Sequence, residues 1–110
     1  MGIFSIFEKN KPNNKVSAYI ENTRKFKDII DKQYLETPGI FDNIGGYIAK
    51  SRGITLSRDE SKAIQLLFGN KMEHCRFFPE ELSVDMICTL YNIPESRGTI
   101  IVEIAKSTYP

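Results

Sequence analysis

The feature of this sequence that most constrains its fold is a helical spacing of apolar side chains from Val16 to Tyr34. These side chains recur mostly at steps of three and four residues, which places them on one face of an α-helix. The stripe consists of Val16, Tyr19, Ile20, Thr23, Phe26, Ile29, Ile30 and Tyr34. The opposite face carries charged pairs four residues apart, such as Lys27 and Asp31, a spacing that stabilises an exposed helix surface. The segment predicts one long amphipathic helix.

A second helix is predicted between Thr37 and Gly53. Thr37 is a capping residue and Pro38 suits the first helical position, whereas Gly53 supplies a left-handed residue after the last turn. The pair Gly45–Gly46 inside this helix costs about 1 kcal/mol per glycine relative to alanine. Either a neighbouring helix approaches closely there or the helix bends, and the close approach is the preferred interpretation.

Two more helices are indicated by their start signals. Ser57 and Glu60 have the spacing of a capping box, and this third helix is predicted to end at Gly69–Asn70. Pro79 opens the fourth helix, with acidic residues at its positive end, and Asn92 closes it.

The segment 99–106 is ambiguous between helix and strand. Its β-branched residues favour a strand, whereas its spacing favours a helix. A strand would need the short apolar stretch 3–7 as its partner. The preferred fold class is an all-α compact bundle of about five short helices, and the alternative is an α+β domain with a small hairpin made from the two termini.

The chain of 110 residues has the size of one domain and can bury a core without disulfides or a structural metal. Residues 1–15 are interpreted as an N-terminal apolar tail and polar linker, and residues 16–110 as a single helical domain. The preferred interpretation is that the tail folds back onto the core, and the alternatives are a short paired strand or an exposed tail that promotes association. No stretch approaches the roughly 20 apolar residues of a membrane span, and no secretory signal is recognised. We therefore expect a cytoplasmic protein without a membrane span.

The charges nearly cancel, with 15 Lys and Arg against 14 Asp and Glu. This balance argues against a general nucleic-acid binder, which needs a basic excess to replace phosphate counterions. The distribution is uneven, because residues 54–110 hold 6 basic and 8 acidic side chains. The excess acid gathers after residue 72 and would suit a basic partner.

No catalytic constellation is evident. His74 and Cys75 are adjacent, but neighbouring side chains on an extended chain point to opposite sides. His74, Cys75 and Cys88 lack the spacing of a known metal site, and no phosphate-binding glycine motif occurs. The sequence predicts no enzyme activity, no cofactor and no metal.

The run Ile44–Thr55 contains the pattern Ile48, Arg52, Gly53, Ile54, Thr55. It resembles the opening helix of repressor-type helix-turn-helix domains over about a dozen residues. The resemblance implies a DNA-binding regulator, which is the alternative function. The segment after residue 68 supplies no polar recognition helix.

A small helical domain of balanced charge without catalytic groups most often binds another protein. Bacterial immunity and antitoxin proteins are a populous group of this kind, and they neutralise a toxin by occluding its active site or substrate surface. The expected partner is a cognate toxin with a basic surface. Phe77 or Phe78 would act as an anchor, with core packing as the alternative for both. The predicted partner-binding residues are Lys71, Glu73, His74, Arg76, Phe77, Glu80, Glu81 and Asp85.

Overall fold

The computed structural model of the protein describes residues 14–37, 39, 46–72 and 76–108. Within these ranges the chain forms α-helices joined by short connections. They are α1 (Asn14–Glu36), α2 (Gly46–Ser51), α3 (Arg58–Met72), α4 (Ser83–Tyr91) and α5 (Glu95–Thr108), with a 3₁₀ turn at Glu80–Leu82 before α4. The described residues include no strand, so the all-α prediction is confirmed. Residues 99–106 lie inside α5, which excludes the terminal hairpin.

The predicted start of α3 is confirmed by its hydrogen bonds. The Ser57 N–H donates to Glu60 Oε1 at 2.8 Å, and the Glu60 N–H donates to Ser57 Oγ at 3.2 Å. These reciprocal bonds form the capping box and satisfy N–H groups that have no partner within the helix.

The predicted ends of α2 and α4 are also confirmed. Gly53 has a φ of 71°, and its N–H donates to the Lys50 carbonyl while the Ile54 N–H donates to that of Ala49. This is the Schellman arrangement, which needs a left-handed residue. Asn92 closes α4 with a φ of 54° and a ψ of 45°.

Several boundaries differ from the predicted ones. Pro79 does not open the fourth α-helix but precedes the 3₁₀ turn Glu80–Leu82, and α4 begins at Ser83. α3 does not end at Gly69–Asn70 but continues to Met72, α5 begins at Glu95, and α1 begins at Asn14. The last two residues of the predicted linker are therefore helical. The apolar tail 1–7, the rest of the linker and the predicted start of the second helix lie outside the described residues.

The core is built around α3, which packs against α1, α4 and α5. The fully buried side chains of the core are mainly aliphatic, and most of them come from α1, α3, α4 and α5. They include Ile30, Ile64, Leu66, Met86, Ile87, Ile101 and Ile104.

Close helix approach occurs at Gly69 and Gly98 rather than at Gly46. A β-carbon on Gly69 would lie against the Phe26 ring, and one on Gly98 would lie 2.6 Å from Cys88 Sγ. Nothing lies within 4 Å of a β-carbon on Gly46, so the close packing expected there is wrong for Gly46. Gly45 lies outside the described residues.

Candidate interaction site

The predicted interaction region begins where the buried side chain of Asn70 holds the chain before α4. Asn70 Nδ2 donates to the Phe78 carbonyl at 3.0 Å, and its Oδ1 accepts the N–H groups of Phe77 and Phe78, each at 3.1 Å. One amide thus satisfies three backbone groups. Because Asn70 lies inside α3, these bonds fix residues 77 and 78 relative to that helix.

The two phenylalanines of this segment have different surroundings. Phe78 is 1% exposed, so its core-packing alternative is confirmed. Phe77 is half-buried and stacks on Phe26, with ring centroids 4.6 Å apart and an angle of 10° between the planes. Phe26 also contacts Gly69, so the stacked rings connect α1, α3 and the segment before α4.

The structure describes six of the eight predicted partner-binding residues. Glu73 and His74, together with Cys75, lie outside the described residues. Asp85 is half-buried on the first turn of α4. The exposed members are Lys71, Arg76, Glu80 and Glu81.

Three carboxylates define what we call the acidic face: Glu81, Asp85 and Glu95. Burial raises the pKa of the Cys88 thiol, and the charges of Asp85 on α4 and Glu95 on α5 raise it further. Asp85 lies three residues before Cys88, and Glu95 lies three residues before Gly98, which packs against Cys88. Glu81 lies four residues before Asp85. Within the described ranges, none of the three carboxylates forms a salt bridge.

Glu95 was missed in the sequence analysis because α5 was predicted to start four residues later. The signal that identifies it is the pair Pro94–Glu95, since proline before a helix and an acid in its first turn mark a helix start. The raised pKa of Cys88 lowers its thiolate fraction, so this cysteine is a poor nucleophile.

A small cleft lies between the C-terminal turns of α3 and α5, and we call it the α3–α5 cleft. Leu67, Phe68, Val102 and Ala105 form its apolar lining. Two of the predicted residues, Lys71 and Glu80, lie at its polar rim together with Lys106. The structure therefore places both Lys71 and Glu80 at the α3–α5 cleft.

Several cations elsewhere are engaged within the fold. Lys27 Nζ donates to Asp31 Oδ2 at 2.8 Å, and Lys62 Nζ forms a salt bridge with Asp31 Oδ1 at 3.1 Å. Burial raises the pKa of Asp31, but the hydrogen bonds and charges of the two lysines outweigh burial and lower it overall. A hollow of about 260 Å³ between α1 and α4 is lined by Lys27, Arg24, Asp28 and Leu90, so one of its two cations already has a partner.

The segment that resembles a helix-turn-helix opening is attached to α5. Arg52 lies 3.8 Å from the Glu103 carboxylate and donates to Ser107 Oγ at 3.1 Å. In the described residues, α3 is followed by the segment 76–79 and a 3₁₀ turn rather than by a recognition helix. No observed contact favours DNA binding at this segment.

Among the described residues, no three His, Cys, Asp or Glu side chains converge in a way that suits a metal ion. In the same described residues, no helix is both long enough and apolar enough to cross a bilayer.

Comparison with known proteins gives no family assignment. No protein-family model matches the chain, and no curated protein or solved structure is significantly similar to it.

Proposed function

We propose that this chain is a non-enzymatic module that binds another protein through its acidic face. The expected partner presents a basic surface, and a cognate bacterial toxin is the partner we favour. In that role the chain would act in the cytoplasm and cover the toxin's active site or substrate surface. No chemical step by this chain is required.

The observation that carries the proposal is the packing of Gly98 on α5 against Cys88 on α4, since Asp85 and Glu95 each lie three residues before this contact on their helices. Gly98 lets α4 and α5 approach closely at this point, so the two carboxylates are held by a rigid pair of helices. Together with Glu81 they make up the acidic face, and none of the three carboxylates forms a salt bridge among the described residues. Such a surface accelerates encounter with a basic partner and disfavours acidic ones.

The segment before α4 supports the same role. Asn70 and the stacked Phe26–Phe77 pair hold it against α1 and α3, so the surface next to the acidic face is already ordered before a partner binds. Ordering a surface in advance reduces the entropy lost on association.

The test is binding to the protein encoded by the neighbouring gene. Calorimetry and stopped-flow association would compare the wild type with a variant combining Glu81→Gln, Asp85→Asn and Glu95→Gln. We expect association to slow by about tenfold or more and to lose most of its salt dependence.

The matched control combines Glu21→Gln, Asp28→Asn and Glu36→Gln, which removes the same charge from exposed positions on α1. An equal loss in both variants would show a net-charge effect rather than a binding face. Absence of any complex with the neighbouring protein would contradict toxin neutralisation.

A further inference from the structure

We propose that the α3–α5 cleft is the contact surface for a second copy of this chain, and that two copies form a symmetric dimer through it. This surface is separate from the acidic face. In a two-fold symmetric dimer each copy presents the same patch, so the patch must complement itself in both shape and charge.

The dimensions of the cleft suit a side-chain tip. The cleft is partly open to solvent, and its cavity volume is about 30 Å³. This is on the order of the volume of one water molecule. Pockets for small-molecule ligands span roughly 300–1,000 Å³. The cleft therefore has room for the end of one apolar side chain from a neighbouring protein.

A suitable side chain is exposed beside the cleft. Met72 is 63% exposed at the end of α3, four residues after Phe68, which lines the cleft. Residues four apart lie on the same side of a helix, so Met72 extends the cleft wall outward. Methionine is unbranched and flexible and fills irregular gaps well. A two-fold rotation brings the Met72 of each copy to the cleft of the other.

The charges at the rim also complement themselves. Glu80 is the anion of the rim, and Lys71 and Lys106 are its cations, so the exposed rim carries charges of both signs. The same rotation places Lys106 of one copy opposite Glu80 of the other, which gives two equivalent ion pairs. A partner of uniform sign would be repelled by one of these two side chains.

The dimer leaves the acidic face accessible. Ser83 lines the cleft, whereas Asp85 lies two residues later on α4. Two residues correspond to about 200° of rotation around a helix, so Asp85 lies on the side away from the cleft. Each copy can still bind its own partner.

The experiment measures molar mass by sedimentation equilibrium across a range of protein concentrations. We expect a monomer–dimer equilibrium for the wild type and at least a tenfold weaker dimer for Met72→Asp. The matched control is Leu35→Asp, because Leu35 is 81% exposed and does not line the cleft. This control should leave the dimer unchanged, and circular dichroism would check that both variants are folded.

A charge exchange tests the symmetric arrangement directly. Glu80→Lys and Lys106→Glu should each weaken the dimer, because like charges then face each other, and the double variant should restore it. A monomeric wild type at millimolar concentration would overturn the proposal. So would equal effects of Met72→Asp and Leu35→Asp, or failure of the double variant to restore association.

Discussion

The guanidinium of Arg97 and the carboxylate of Glu60 form a bidentate ion pair that joins α5 to the first turn of α3. Arg97 Nε donates to Glu60 Oε2 at 2.6 Å, and its Nη2 donates to Oε1 at 2.8 Å. The Glu60 side chain is 8% exposed and also accepts the Ser57 N–H. One carboxylate thus caps a helix and holds a second helix in place.

Replacing Arg97 with methionine should destabilise the fold markedly, because it leaves the Glu60 carboxylate buried without its counterion. We expect a loss of about 2–3 kcal/mol in the free energy of unfolding, measured in urea. Arg24→Met, at an exposed position on α1, serves as the control and should change stability by less than about 0.5 kcal/mol. Equal effects of the two changes would contradict a structural role for the ion pair.

The same ion pair should make stability depend on acid pH. The hydrogen bonds from Arg97 hold the pKa of Glu60 below its ordinary value of 4.5, although burial opposes this shift. Between the lower pKa of the folded state and pH 4.5, Glu60 is protonated in the unfolded chain but ionised in the folded chain, so unfolding takes up protons. The stabilisation is therefore complete above pH 4.5 and is lost as the pH falls through the lower, folded value.

Urea titrations at a series of pH values would measure this effect. Glu60→Gln should be less stable than the wild type at neutral pH and should lose less stability on acidification. Asp31 contributes in the same direction, since Lys27 and Lys62 hold its pKa low, so Asp31→Asn is measured in parallel. Parallel pH curves for the wild type and Glu60→Gln would show that Glu60 is not responsible.

Asn70→Ala should destabilise the fold and loosen the segment before α4. It removes three hydrogen bonds and leaves the N–H groups of Phe77 and Phe78 without their acceptor. Such groups cost about 1–3 kcal/mol each when they stay buried, and we expect a total near 3 kcal/mol because relaxation lets water reach some of them. Hydrogen exchange at residues 77 and 78 should accelerate more than exchange within α5. Uniform acceleration over the whole chain would instead indicate global destabilisation alone.

The signals that predicted this fold are local ones. Ser57 with Glu60, Gly53 and Asn92 act through backbone groups within a few residues, so their roles follow from spacing and conformational preference. The stripe from Val16 to Tyr34 likewise identifies α1, because its period depends on one helix only. These signals made the all-α class the preferred prediction, whereas residues 99–106 left the α+β alternative open.

The contacts between helices did not follow from the sequence. Asn70 has the character of a helix end, but its amide bonds eight residues away make it a buried anchor. Arg97 reaches Glu60 across 37 positions, and no periodic pattern connects the two. The acidic face was predicted only in part. Glu81 and Asp85 were predicted from local charge, whereas Glu95 was identified only from the packing of α5.

Close packing of α4 against α5 at Gly98 leads to the last prediction. A β-carbon on Gly98 would lie 2.6 Å from Cys88 Sγ and 3.4 Å from a Val84 methyl group. Gly98→Ala gains about 1 kcal/mol of helix propensity, but its methyl group must displace the Cys88 side chain, and overpacking typically costs about 1–3 kcal/mol. We expect a net loss of stability of about 1 kcal/mol.

Cys88→Ala removes the sulfur that is closest to the new methyl group, so the double variant should be more stable than the sum of the two single changes predicts. Urea unfolding of all four proteins measures this coupling. Gly46→Ala is the control, since nothing lies within 4 Å of its β-carbon, and it should be neutral or stabilising. Additive effects of Gly98→Ala and Cys88→Ala would show that the sulfur does not limit the approach of the two helices.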